Sequence, residues 1–411
     1  MGSENSSHLG MLNSQFGFTL LSRDCLTEET VELNTILSET HVAVASIRTG
    51  FPSVDNSGGT GGLRMTGFTS ESPNTRRHAM TTHESVALDP TTQSFLDAIA
   101  AQGGKPIYTL SYAEARQVLE NLQSSLISAC PAEVEDLDFP VGPSGSVSVR
   151  IYRPSDVRGM FPAVIYCHGG GWISGSKCTH DRLMRDLANR VHAAIFFVNY
   201  TPSPEAQFPV PLEEAYAVTE YVASHANTLG VDAHRLVIAG DSVGGNMAAA
   251  ITLMAKERGG PNIGYQVLLY PVTDASLDTG TYATYANGPW LTRPAMEWFW
   301  DAYAPNKSDR EAITASPLRA TKEQLTGLPP ALVVTDQHDV LRDEGEQYAS
   351  NLADANVSVT AACMLSTIHD FLMLDGLADT PAAQCAMELV GERLVKYFQE
   401  SQWLPANAWA S

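Results

Sequence analysis

The chain of 411 residues contains no run of about 18 apolar residues, so no membrane-spanning helix is expected. Basic residues are scarce: 25 Lys and Arg stand against 46 Asp and Glu, a formal charge of −21. Such a field repels phosphate, which argues against a nucleic-acid surface or a polybasic membrane anchor. Only six cysteines occur (Cys25, Cys130, Cys167, Cys178, Cys363, Cys385), with no CxxC pair and far below the density of a disulfide scaffold. They are expected as buried or incidental thiols of a reducing compartment. The first residues, MGSENSSHLG, lack the basic and apolar regions of a secretory leader. Gly2 and Ser6 fit a short myristoylation pattern, but Glu4 and the lack of a second anchor weigh against lipidation. A soluble cytoplasmic protein is the expectation.

Little order is legible before residue 88. Residues 51–63 and 69–86 are rich in Gly, Ser, Thr and Asn without a sustained period, the composition of a linker. Leu33, Ile36 and Leu37 could build one short amphipathic helix. Residues 1–87 are therefore expected to form a poorly ordered extension, and 88–411 the folded domain. No internal repeat is present.

From residue 88 the patterns sharpen. Asp89-Pro90 reads as an N-cap with proline in the first turn, ahead of Phe95, Leu96 and Ile99 at helical spacing. Ser111-x-x-Glu114 is a capping box before Val118, Leu119 and Leu122. Ser146–Tyr152 then alternates, with Val147, Val149 and Ile151 on one face and the character of an antiparallel edge. Short β-rich runs follow at Ala163–Cys167, Ala194–Tyr200, Leu236–Ala239, Val267–Tyr270, Ala331–Thr335 and Val357–Ala361. Helical stretches such as Leu212–Thr228, Asn246–Arg258 and Arg342–Ala355 separate most of them. That order predicts a doubly wound α/β fold with a mostly parallel sheet covered on both faces.

Two glycine-rich segments carry chemistry. Gly240-Asp241-Ser242-Val243-Gly244-Gly245 sits between the strand RLVIA and a helix, the context in which G-x-S-x-G has meaning. A serine hydroxyl is a weak nucleophile and must project from a sharp turn to meet both a base and a substrate. Flanking glycines let strand and helix approach closely enough for that turn. His168-Gly169-Gly170-Gly171-Trp172 also follows an apolar strand, AVIYC. Acyl transfer builds negative charge on a carbonyl oxygen, and aimed backbone N–H groups stabilise it by about 3–4 kcal/mol each. A phosphate cradle is the competing reading of the glycines. No Lys-Ser/Thr follows them, however, and G-x-G-x-x-G spacing is missing.

A base and its orienting acid should follow the serine in the order Ser, Asp/Glu, His. The late histidines are His338, directly after the strand ALVVT, and His369, just beyond the strand VSVTAAC. His369 fits the base. Asp339 fits the acid, with Asp336, Asp343 and Asp370 as competitors; Asp336 lies nearest the strand, and Asp343 falls where a helix begins.

With these residues in place, residues 88–400 resemble the hormone-sensitive-lipase branch of the α/β-hydrolases, a family of carboxylesterases and acyl-ester hydrolases. HGGGW at 168–172 and GDSVGG at 240–245 are similar to its two signature blocks. Thr179-His180-Asp181, Tyr200-x-x-x-Pro204-Glu205-x-x-Phe208-Pro209 and Asp339-Val340-Leu341-Arg342-Asp343-Glu344-Gly345-Glu346 agree with it too. The resemblance implies Ser242, Asp339 and His369 as the catalytic triad. It also implies the N–H groups of Gly170, Gly171 and Val243 as oxyanion donors, with His168, Gly169 and Trp172 completing the signature. Val243 departs from the usual alanine after the nucleophile, which touches pocket shape. Ser366–Asp370 lacks the glycines common around the family's histidine.

The implied reaction is hydrolysis of a small to medium acyl or aromatic carboxylic ester through an acyl-enzyme, with no metal or organic cofactor. The resemblance further implies a cap from about 88–128 and 274–325. The second stretch holds Tyr282, Tyr285, Trp290, Trp298, Phe299 and Trp300, a cluster that reads as packing before pocket. An amidase, formamidase or lactonase would use the same triad. A ligand-binding receptor of this fold is disfavoured because the histidine is retained. Homodimerisation stays open, as does a scaffold role for residues 1–87.

Overall fold

The computed structural model describes residues 87–124, 129–155 and 158–401. Residues 1–86, with the short amphipathic helix expected around 33–37 and Cys25, lie outside the described residues.

Two helices come first, α1 (Pro90–Ala101) and α2 (Tyr112–Leu122). The Asp89 carboxylate caps α1 by accepting the Thr91 N–H at 2.8 Å, and Ser111 with Glu114 closes the capping box on α2. The next elements are β1 (Ala132–Phe139), β2 (Val147–Pro154), β3 (Phe161–Cys167), α3 (Asp181–Val191), β4 (Ala194–Asn199), α4 (Val210–Ser224), α5 (Ala226–Leu229), β5 (Val231–Asp241) and α6 (Val243–Arg258). The chain continues through β6 (Tyr265–Leu269), α7 (Gly280–Thr284), α8 (Arg293–Tyr303), α9 (Lys322–Leu325), β7 (Ala331–His338), α10 (Arg342–Asp354), β8 (Val359–Ile368) and α11 (Pro381–Ser401).

The strands form one eight-stranded sheet in the order β1-β2-β4-β3-β5-β6-β7-β8. β2 runs antiparallel to both neighbours, and the pairs from β4 onward are parallel. Two buried layers flank the sheet. Val147, Val149 and Ile151 face one with α4 and α6, while Tyr152, Val164 and Phe197 face the other with α3 and α11. The doubly wound expectation therefore holds.

One detail differs. β2 is not the edge strand, because β1 pairs outside it. β1 (AEVEDLDF) is acidic and largely exposed, so it shows no apolar face to read. Its carboxylates instead meet arginines: Asp136 contacts Arg150 at 2.7 Å and Glu135 contacts Arg153 at 3.0 Å. An edge kept charged resists pairing with other chains.

Among the cysteines, Cys130, Cys363 and Cys385 are exposed free thiols and Cys167 a buried one. Cys178 is not a free thiol, which departs from the expectation at that position.

Candidate active site

β5 ends at Asp241 and α6 begins at Val243, leaving Ser242 alone at the turn with φ 54° and ψ −120°. A non-glycine residue holds such a left-handed backbone only where its surroundings enforce it. The enforcement is local. The Ser242 N–H donates to the Leu269 carbonyl at 2.9 Å, and its carbonyl accepts the Val272 N–H at 3.1 Å. Gly244 lies so close to the Cys167 carbonyl at the end of β3 that any Cβ would collide with it. The turn thereby raises the serine hydroxyl above the C-terminal ends of the parallel strands.

His369 follows β8, and its imidazole links two groups. Nε2 lies 2.9 Å from Ser242 Oγ, and Nδ1 lies 2.7 Å from Asp339 Oδ2. The other Asp339 oxygen accepts the Leu341 N–H at 3.0 Å. Asp339 and His369 are almost fully buried, and Ser242 is 5% exposed. Burial works against the imidazolium, but the Asp339 carboxylate and then Asp370 outweigh it and raise His369 to about 9. Tyr270 packs edge-on against the His369 ring, with centroids 4.9 Å apart.

The four candidate acids separate cleanly. Asp343 sits in the first turn of α10, where the helix dipole favours it, and accepts the Thr281 N–H at 2.9 Å. Asp370 accepts the Trp290 Nε1–H at 3.0 Å, and its other oxygen lies 3.4 Å from His369 Nε2. Asp336 is buried beside Asp339. His338 ends β7 and stacks edge-on with Tyr285, away from the serine contacts.

The HGGGW loop reaches the same point from β3. Gly169 donates its N–H to Asp241 Oδ1 at 3.0 Å and is thereby used up structurally. Among the described residues, the Gly170 and Gly171 N–H groups have no protein acceptor. Their φ values of 104° and 67° belong to glycine. A Cβ on Gly170 would meet the Ser174 carbonyl, and one on Gly171 would meet the Phe299 ring of α8. His168 holds the loop by stacking on Tyr200 at 4.2 Å, and burial followed by neighbouring His180 lowers it to about 3. It is thus a neutral ring. Trp172 is fully buried and stacks on Tyr303 at 4.0 Å.

Contacts that the motifs do not announce support this site. The buried Asp241 carboxylate joins both glycine loops through Tyr166 OH (2.9 Å), the Gly169 N–H and His180. Arg116 of α2 donates to the Ile173 carbonyl at 2.8 Å and forms a paired contact with Glu205. In the aromatic cluster, Tyr282 and Trp300 are buried and Trp298 stacks on Tyr112, so most of it is packing as expected. Trp290, with its bond to Asp370, and Phe299 face the site instead. Tyr270 and Trp290 act over 99 and 80 residues of chain, which leaves no local signal to find them by.

Residues 164–373 match the model of a family described by its α/β-hydrolase fold. An α/β-hydrolase of Acanthamoeba polyphaga mimivirus is 38% identical over 303 residues, covering 74% of this chain and 86% of that protein. An esterase of Fusarium pseudograminearum (strain CS3096) is 35% identical over 317 residues, or 76% of this chain and 97% of its own. A thermostable esterase from Pseudomonas putida ECU1011 has a solved structure that superposes with a TM-score of 0.74 at 46% identity, covering 76% of this chain and 98% of that one. The chain belongs to the α/β-hydrolase superfamily, in its hormone-sensitive-lipase-like branch.

Proposed function

We propose that Ser242 is the nucleophile, His369 the general base, Asp339 the orienting acid, and the N–H groups of Gly170, Gly171 and Val243 the oxyanion donors. The enzyme is a carboxylic ester hydrolase. One observation carries the assignment: a single imidazole touches both a serine hydroxyl on a strained strand-to-helix turn and a buried carboxylate.

The geometry suits a two-step acyl transfer. Neutral His369 takes the Ser242 proton on Nε2 as Oγ attacks the ester carbonyl. Asp339 keeps the Nδ1 proton in place and stabilises the imidazolium. The oxygen of the tetrahedral intermediate turns toward these donors, of which the Gly170 and Gly171 N–H groups have no protein acceptor among the described residues, so little reorganisation is needed. His369 then protonates the leaving alcohol, and a water activated by the same ring releases the acid. None of these steps calls on a metal or an organic cofactor.

Phe299 and Trp290 are apolar surfaces within reach of the reacting groups, which supports small to medium acyl or aromatic esters. The segments 88–128 and 274–325 supply these rings and the Arg116 tie, which supports their reading as a cap. A serine-directed organophosphonate should label Ser242 stoichiometrically, and Ser242→Ala should abolish labelling and turnover of p-nitrophenyl esters. Labelling at Ser174 or Ser176 would sink the assignment. Turnover of amides or lactones with every ester inert would move the activity to those bonds.

A further inference from the structure

Near its end, β7 carries a second carboxyl group that the reaction above does not use. Asp336 is fully buried, and neither of its oxygens receives a hydrogen bond from any N–H or O–H among the described residues. One of its oxygens, one of Asp339 and one nitrogen of His369 all lie within 4.8 Å of one another. Asp339 has both oxygens occupied, by His369 and by the Leu341 N–H, which is the bonding of an anion. Asp336 has none of this. A buried carboxylate with no donor, set against a second carboxylate, is an arrangement that a protein avoids by neutralising one of the two.

We propose that Asp336 is a positioning residue of the triad: it stands as a neutral carboxylic acid and donates its O–H to the Asp339 carboxylate. The pair then holds one proton and one negative charge. Asp339 gains a third hydrogen bond that fixes its rotamer toward His369. That bond also spreads its charge, so that it holds the imidazolium less tightly and His369 releases its proton at a lower pH. The surroundings agree. The groups that face Asp336 are Asp339 from the loop after β7, Cys363 on β8, His369 and Asp370 beyond β8, and Tyr270 after β6. Burial first, and the Asp339 charge second, push Asp336 well above the ordinary carboxyl range.

This inference rests on Asp339 and His369 being triad members, and its test separates the two. Asp336→Asn keeps the shape and keeps a donor toward Asp339, but cannot ionise. Asp336→Ala removes the donor. Phosphonate labelling of Ser242 in each variant reports whether the triad itself works. With the triad intact, Asp336→Asn should keep kcat/KM within about threefold and leave the acid limb of its pH profile in place. Asp336→Ala should move that limb upward by about half a unit, because Asp339 then pulls harder on the imidazolium. The infrared difference spectrum of wild type minus Asp336→Asn near neutral pH should show a protonated carboxylic acid C=O band. A band for a carboxylate in its place would overturn the inference. So would an acid limb that falls by about one unit or more in Asp336→Asn, since that is what removing a negative charge beside His369 does.

Discussion

Replacing Asp339 by asparagine separates orientation from shape. Asparagine fits the space, so the loss must come from its donors. The carboxylate accepts two hydrogen bonds, from His369 Nδ1 at 2.7 Å and from the Leu341 N–H at 3.0 Å. An amide can satisfy both only if one partner changes. With its oxygen toward Leu341, its NH2 group faces Nδ1, which must become an acceptor. The ring proton then moves to Nε2 and points at Ser242, so the base has no lone pair for the serine. With the amide flipped, NH2 meets the Leu341 N–H inside a closed site, and the unmade bond costs about 1–3 kcal/mol. The first arrangement is the cheaper, and it is the inactive one. Loss of the wrong-tautomer kind costs about 10⁴ in kcat, or about 5 kcal/mol. Asp343→Asn is the matched control, because an amide oxygen can still accept the Thr281 N–H there. It should cost less than about tenfold. The assay is steady-state hydrolysis of a p-nitrophenyl ester, with circular dichroism to show that both variants are folded. If Asp339→Asn keeps more than about a tenth of wild-type kcat, the acid is misassigned and Asp336, next to it, becomes the candidate.

Two other outcomes follow from the site. His369 is raised to about 9, so kcat/KM should climb from pH 6 toward pH 9, with its acid limb well above the ordinary histidine value; a limb at or below 6.5 would contradict the Asp339 coupling. The linkage has a definite sign: a group raised on folding stabilises the fold below its unfolded value near 6.5, and that contribution is lost as pH rises through about 9, which denaturant titration across this window can read. Gly171→Ala puts a Cβ into the Phe299 ring at a φ of 67°, so the loop must shift. That should lower kcat by about 10²-fold or more with a folded protein, and near-normal turnover would remove Gly171 from the oxyanion donors.

The parts of this molecule that were legible in its sequence are those whose physics is local. A nucleophile turn needs glycine where strand meets helix, and Gly240 and Gly244 stand where a Cβ would strike backbone. The capping residues Asp89, Ser111 and Glu114 satisfy N–H groups two or three positions away, so their spacing alone announces them. The inner parallel strands β3, β4, β6 and β7 are buried on both faces and read as apolar runs. β1 is hidden for the opposite reason: its stability comes from cross-strand pairing and ion pairs with Arg150 and Arg153, which leave no periodic apolar mark. The choice among aspartates was legible only in outline, from position along the chain and independently from family resemblance, because a carboxylate's role depends on what faces it across the fold. Asp336 and Asp339 differ by three positions, yet one is anchored by a backbone N–H and an imidazole while the other receives no hydrogen bond from an N–H or O–H among the described residues. Asp241 makes the same point from the end of β5. In the sequence it is the residue before the nucleophile; in the fold its single carboxylate joins Tyr166, His180 and the Gly169 N–H, so that the serine turn and the oxyanion loop are set by one group. The catalytic atoms can thus be named from motifs, but the distances between them are fixed by buried polar residues whose partners lie 60 to 75 positions away.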